Sequence, residues 1–412
     1  MRKSAPKKLK LTPGKKMRLN VDSNGGAQEV DETKSLLGDI GRLEDENRKL
    51  RSELKSTRRG STLFSLLSDT IHNQPPFSTF TPYSSIIQKK GKVKESAMLV
   101  LSDSHGDQEI LGKRVQNLEE YNFDIACLRA ERIVDTTVSH LIDNMKNYKF
   151  ERLYIAGLGD YVNGDIHNAT EHSKWRNSLK NSMGMGELIA MMITDLSRYF
   201  PEIVFCSVSG NHGRRSFKKD YRGAQNNWDY LVAMHAATRL RNLVESGRCK
   251  IVVPDSWSMG LSVYDWNFVL NHGDDVRSWN SIPHYGIERK TRRLGAIGAV
   301  QGTTPNYFLY GHFHTASTTQ HTTGEVILNG SWAATDEYAL NSLGAYSEPF
   351  QWLLGVHPNY GVTWRMPIKL RKGTLAEEAK KKSRYAITLF EDHEQAEGDI
   401  VFRERNDKKI YL

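Results

Sequence analysis

Five short apolar runs in this 412-residue chain each end on a turn made of Asp, His, Asn and Gly. Ala97–Ser102 runs into Asp103-Ser104-His105, Arg152–Ala156 into Gly159-Asp160, and Ile203–Val208 into Gly210-Asn211-His212. Asn267–Asn271 runs into His272-Gly273-Asp274, and Tyr307–Tyr310 into Gly311-His312-Phe313-His314. Apolar runs of this length bounded by Gly predict buried strands. Helical periodicity over 123–148, 174–199 and 228–244 alternates with the earlier ones, and further strands are predicted at 250–253, 261–264 and 326–328. Early β-α-β alternation followed by a strand-rich half predicts an α/β domain whose parallel strands deliver their loops to one edge.

The residue types at those strand ends point to metal. Neutral imidazoles mixed with carboxylates suit first-row divalent ions such as Mn, Fe, Zn and Ni, whereas an all-oxygen set would suit Mg or Ca. One His-x-His alone is weak evidence, because a lone His is usually structural. Five such turns in one order are not independent accidents.

That ordered set, Asp103-x-His105, Gly159-Asp160, Gly210-Asn211-His212, His272 and Gly311-His312-x-His314, resembles the calcineurin-like metallophosphoesterase superfamily over about residues 96–335. The resemblance implies a sandwich of two mixed β-sheets flanked by helices, with two divalent ions at one edge, Mn favoured and Fe, Zn or Ni as alternatives. It further implies that Asp103, His105 and His314 bind one ion, Asn211, His272 and His312 the other, and that Asp160 bridges them. A hydroxide held between the ions would then attack the phosphoryl group. His212 matches the family histidine that stabilises or protonates the leaving oxygen. Where the family has Asp or Glu after that histidine, this chain has Gly213. Asp274 and Asp275 are the nearest substitutes by motif, with Asp220 and Asp229 behind them. Asn163, Asp165 and His167 read as a hydrogen-bonded loop under the site.

Basic residues accompany the motifs. Arg214 and Arg215, followed by Lys218, Lys219 and Arg222, are candidates to grip phosphate oxygens, as are Arg289, Lys290, Arg292 and Arg293. Trp228, Trp279, His284 and Tyr285 could stack on bases, although aromatics at such spacings are more often core. The formal charge of +9 invites a nucleic-acid reading, but eight basic and no acidic residues lie in 1–20, leaving 49 basic against 48 acidic beyond them. The excess charge belongs to an arm.

Residues 1–30 therefore read as a disordered basic arm. Residues 31–58 read as a coiled-coil helix whose seam, Leu36, Ile40, Leu43, Asn47, Leu50 and Leu54, would pair two copies over 36–54. A linker over 59–95, the phosphoesterase domain over 96–370 and a charged extension over 371–412 complete the expected layout. Cys127, Cys206 and Cys249 are too dispersed for a metal knuckle or disulfide framework and read as core. No apolar run approaches a membrane span, and the Lys-rich start lacks a secretory core. Residues 115–123, Gly213 after Asn211-His212, and the segment 278–294 together resemble metallophosphoesterases often encoded by phages, so the expected location is cytoplasmic, in a host cell if phage-encoded. The expected activity is hydrolysis of phosphodiesters, nucleic acid or a nucleotide derivative. The alternatives are a phosphomonoesterase and a non-catalytic nucleic-acid-binding or assembly protein on the same fold.

Overall fold

The structure, a computed structural model, describes residues 41–51, 93–166, 172–276 and 283–387, together with the backbone of 401–403 and 409–411. The chain divides into an N-terminal unit, Met1–Lys89, and a C-terminal unit, Lys90–Leu412. The first is described over one helix, α1 (residues 41–51), on which Leu43, Asn47 and Leu50 are all exposed. The arm at 1–30, nearly all of the linker at 59–95, and Leu36, Ile40 and Leu54 of the seam lie outside the described residues. So do His72, His167, Trp279 and His393.

In the second unit, β1 (Val93–Leu101) shows the two-residue period of a strand buried on both faces. Leu99 and Leu101 enter one apolar cluster, and Met98 and Val100 enter another. The first cluster joins the strands to helices α2 (Phe123–Val138), α3 (Ser178–Leu196) and α4 (Trp228–Arg239). All three helices start on an asparagine whose side chain accepts a backbone N–H of the first turn: Asn122, Asn177 and Asn227. The second cluster lies between two sheets, where Met98, Tyr154 and Val204 meet Phe268, Leu270 and Leu309.

Sheet one runs β11 (Gly361–Lys369), β10 (Phe350–His357), β1, β2 (Tyr148–Gly157), β3 (Glu202–Ser207) and β4 (Cys249–Val252). Its β1-β2-β3-β4 part is parallel and its β11-β10-β1 part antiparallel, with Leu99 opposite Ile155 and Ile155 opposite Phe205. Sheet two runs β5 (Ser258–Val263), β6 (Trp266–Asn271), β7 (Tyr307–Tyr310), β9 (Gly324–Leu328) and β8 (Ser317–His321), parallel along β6-β7-β9 and antiparallel at both ends. Both sheets are mixed, and helices flank them, as expected. On the outer face of sheet two, Phe308, Tyr310 and Val326 pack against Ile287 and Leu294 of α6 (His284–Val300). A short ladder, β12 (Val401–Arg403) with β13 (Lys409–Tyr411), pairs only with itself.

Several expected bounds shift. The helix expected over 123–148 ends at Val138, passes through a wide turn at Ser139–Asn144, and gives Tyr148 to β2, where it pairs with Val93. The helix expected over 228–244 breaks at Leu240 into α4 and α5 (Arg241–Glu245), with no Gly or Pro marking the break. Elements beyond Lys250 were expected to be strands, yet α6 is a helix of 17 residues. Its three interior glycines depress helix propensity and hide it. Gly298 is needed for close approach, since a Cβ there would stand 2.6 Å from Thr303 O and Pro305 Cδ. The β10-β11 hairpin is a further element that the apolar runs did not mark.

Residues 371–387 still belong to this core, with Glu378, Tyr385 and Ile387 buried. Short helix α7 (Leu375–Glu378) brings Glu378 to a fully buried Arg129, whose guanidinium also takes Glu119 at 2.9 Å. Arg129 donates in addition to Trp332 O, and Ala334 N donates to Glu119. Burial of a cation is tolerated here because two carboxylates and a carbonyl satisfy it. Trp332 N in turn donates to Asp103 O at 3.0 Å, so this network braces the first strand-end turn.

Candidate metal centre

The five turns meet at one edge, at the C-terminal ends of β1, β2 and β3 of one sheet and of β6 and β7 of the other. Of nine non-glycine residues with positive φ among those described, five are Asp103, His105, Asp160, His312 and His314. Left-handed backbone is unfavourable for residues with a Cβ, and it persists where the surroundings over-determine it. Here it turns successive side chains inward. Three donor groups result, each with its atoms within 4.8 Å of one another: Asp103, His105 and His314; Asp160, His272 and His312; and His105, Asp160 and His212. Asn211 joins the second, its Oδ1 lying 3.0 Å from His272 Nε2. All seven residues assigned by the family resemblance are therefore brought together.

The cluster has the chemistry of a cation site. His105 Nε2 lies 3.2 Å from His314 Nε2, and His314 Nε2 lies 3.3 Å from Asp103 Oδ1. The outer nitrogens are held elsewhere, His272 Nδ1 on Leu158 O and His105 Nδ1 on Asn163 Oδ1, both at 2.8 Å. Such outer bonds fix the tautomer and aim Nε2 lone pairs into a metal site. Asp160 Oδ2 is buried, sits 2.9 Å from His272 Nε2, and has no hydrogen bond of proper angle. Among the described residues no Lys or Arg bonds to Asp103 or Asp160; backbone N–H groups of His312 and His212 donate to them, and the only ionisable partners paired with them are imidazoles.

Protons follow that imbalance. Burial pulls His272 down, but the Asp160 carboxylate outweighs it and the imidazole is raised to about 10. Burial likewise pulls on His314, yet Asp103 raises it. Burial and the neighbouring imidazoles push His312 down to about 4 and lower His105. Burial raises both carboxyls, and the opposing imidazolium charges prevail, leaving Asp103 lowered and Asp160 well below the ordinary range. Divalent ions would take the place of the protons on His272 and His314, so protons compete with metal here.

His212 is half-buried, its N–H donates to Asp160 Oδ1 at 2.8 Å, and its ring stands edge-on to His105 with centroids 4.8 Å apart. The four carboxylates considered as its partner are engaged with other groups. Asp274 holds Lys219, Asp275 holds Lys290, and Asp220 turns back on Arg222 N. Asp229, a weaker candidate from sequence, is bound to the backbone of the site turns: its carboxylate accepts Asp160 N at 2.8 Å, Tyr161 N at 2.9 Å and Gly210 N at 2.8 Å. It ties together the turns that carry Asp160 and Asn211. The space a side chain at 213 would need is filled by Asn227, which accepts Asp229 N and donates to Gly210 O.

Other sequence candidates divide. Arg214 Nε donates back to Asn211 O at 2.9 Å, while Arg215 is exposed with its guanidinium 5.9 Å from the Trp228 ring. Asn163 is the orienting partner of His105, and its own N–H is held by buried Asp107. Asp165 accepts Ser178 Oγ and Trp228 Nε1 and is tied into the fold. Burial raises the three thiols, Cys127 to about 12 and the others to about 11, as expected of core residues. Asn163 lies in the loop expected under the site, whereas the roles of Asp229 and Asp107 carry no local sequence signal beyond their residue types.

No protein-family model matches the chain, and no curated protein matches it. Among solved structures it is similar to Vps29 complexed with zinc from Entamoeba histolytica, at 11% identity over 66% of this chain and 99% of that one, TM-score 0.27. It is also similar to a novel archaeal phosphodiesterase, at 10% identity over 66% and 98%, TM-score 0.30. A hypothetical protein from Pyrococcus horikoshii gives 12% identity over 69% and 91%, TM-score 0.33. Similarity at this level carries no argument about activity. What stands on this chain's own residues is an α/β fold of two mixed sheets flanked by helices, with a buried Asp/His/Asn cluster, fit for divalent cations, at their common edge.

Proposed function

We propose that the chain is a dinuclear metal-dependent phosphoesterase acting on phosphodiesters, with nucleic acid or a nucleotide derivative as substrate. The observation that carries this reading is the convergence of two donor groups, Asp103/His105/His314 and Asp160/His272/His312, from four separate strand ends. Divalent ions held there would draw charge from the phosphoryl oxygens and make a water acidic enough to act as nucleophile. The chain's own residues do the rest. Asp160 belongs to the second group and also lies with His105 of the first, so it would help to hold both ions, with Asn211 completing the second. His212 would deliver a proton to the leaving oxygen, its N–H already anchored on Asp160. Arg215, exposed two residues beyond Gly213, supplies positive charge for a non-bridging phosphate oxygen.

The test is a substrate panel with Mn added, comparing a bis-aryl phosphate with the mono-aryl ester, then single-stranded DNA, duplex DNA and RNA. The expected result is faster turnover of the diester and cleavage of at least one nucleic acid. Preference for the monoester with no nuclease activity would overturn the reading.

A further inference from the structure

Two exposed segments that combine cations with aromatic rings are fastened to the same turn as His272. The first is the loop between His212 and α4. Within it Phe217 and Tyr221 are 77% and 74% exposed, and Arg215, Lys218 and Arg222 are exposed beside them. One residue of this loop points inward. Lys219 lies over the Trp257 ring at 4.3 Å and binds both oxygens of Asp274 at 2.8 and 2.9 Å, while Trp257 Nε1 donates to Asp220 O. The second segment is the start of α6. Tyr285, 64% exposed, precedes Arg289 and Arg293 by one and two turns of the same helix face, and the Arg289 guanidinium is 6.0 Å from the Tyr285 ring. Here too one lysine is turned inward: Lys290 binds Asp275 and donates to Asn271 Oδ1 at 2.7 Å.

Asp274 and Asp275 follow His272-Gly273 directly, so one turn supplies a candidate metal ligand and two consecutive carboxylates. Each carboxylate neutralises one lysine and so fastens one basic segment beside the cluster. The remaining cations, Arg215, Lys218, Arg222, Arg289 and Arg293, stay at the surface with three exposed rings among them. Cations alone would suit any polyanion. Rings alternating with cations suit a chain of phosphates that also carries unpaired planar bases, because base faces in a duplex are already stacked.

From this juxtaposition we infer that the loop at 214–222 and the exposed face of α6 form a track for single-stranded nucleic acid, leading its backbone to the metal cluster. Phe217 and Tyr221 stack on bases, and Arg289 and Arg293 neutralise phosphates. The inference rests on the phosphodiesterase reading for what happens at the cluster, but binding along the track is independent of turnover.

The test uses the full chain with EDTA present, so that nothing is cleaved, and measures fluorescence anisotropy of labelled oligo-dT and oligo-U of about 20 nucleotides and of a duplex of equal length. Phe217→Ala/Tyr221→Ala is expected to weaken binding of at least one single strand about 10-fold or more while changing duplex binding less than about 2-fold. Arg289→Ala/Arg293→Ala is expected to weaken it and to flatten the salt dependence. All four side chains are at the surface, and a thermal melt checks that each variant is folded. Single-strand affinity unchanged in both variants would overturn the track, as would tighter binding of duplex than of either strand. Hydrolysis of a bis-aryl phosphate by the unaltered protein with Mn, run in parallel, separates the two claims. Intact track binding without ester turnover removes the phosphodiesterase reading alone; ester turnover with variant-insensitive binding removes the track alone.

Discussion

Asp160→Asn is expected to lower metal-dependent kcat/KM on a bis-aryl phosphate by at least about 1000-fold, roughly 4 kcal/mol of lost transition-state stabilisation, with the fold intact. Asparagine keeps the shape and an oxygen able to accept the His212 N–H, which Asp160 Oδ1 takes at 2.8 Å. What it removes is the charge. Asp160 is the carboxylate common to two of the donor groups, and its Oδ2 is a buried oxygen with no donor of proper geometry. Losing that charge also releases the hold on His272, whose imidazole is raised by it. Thermal unfolding with and without Mn checks the cause. The unaltered protein should gain stability from the ion, because a ligand that binds only the folded state stabilises it, and the variant should gain much less. Wild-type turnover from Asp160→Asn would mean that the reaction does not use this cluster.

Gly213→Asp, which would install the acid that the related motif carries, is expected to destabilise the protein by roughly 2–4 kcal/mol and to bring no gain in turnover. A Cβ at 213 would overlap Asn227 Oδ1 and lie 3.1 Å from both Asn227 Cγ and Asp229 N. Asn227 cannot swing away without loss. It caps α4 through Asp229 N at 2.8 Å and satisfies Gly210 O at 2.9 Å. Moving it would also disturb Asp229, whose three backbone bonds hold the Asp160 and Asn211 turns together. Denaturant midpoints measure the effect, and Asn227→Gly in the same chain should recover part of it by making room, an interaction visible in a double-mutant cycle. A Gly213→Asp protein as stable as the original, and faster, would show that the acid's place had been empty.

The two variants mark where sequence sufficed and where it did not. Each strand-end turn is a local pattern: a run of apolar residues predicts the strand, Gly the bend, and the adjacent Asp, His or Asn a candidate donor. That Asp103, His105, Asp160, Asn211, His272, His312 and His314 gather at one edge was legible for that reason, and so were the parallel strands that deliver them. The residues that hold the turns were not. Asp229 is 69 positions from Asp160, and Arg129 meets Glu378 across 249, whereas Asn163, 58 from His105, was expected only as part of a hydrogen-bonded loop and its partner was not. Each looks on its own like an ordinary polar residue of a helix or loop. Only the fold shows that it is buried and whom it satisfies. The lysines are a further case, since the charge runs at 214–222 and 289–293 looked uniform, while Lys219 and Lys290 turn inward to anchor them. Helix α6 escaped because its three glycines weaken a helical pattern, although one of them, Gly298, is there for close packing against Thr303 and Pro305.

The most direct measurement is equilibrium binding of Mn to the metal-free full-length protein, by calorimetry at pH 8 and pH 6, with turnover of the bis-aryl ester followed on the same samples. Two ions per chain are expected, with turnover rising as the sites fill. Affinity should weaken from pH 8 to pH 6, because His272, raised to about 10, and His314, raised by Asp103, hold protons that must leave before an ion can enter. No uptake of metal, or uptake with no ester turnover at either pH, would contradict a dinuclear hydrolase and leave a nucleic-acid-binding protein on this fold.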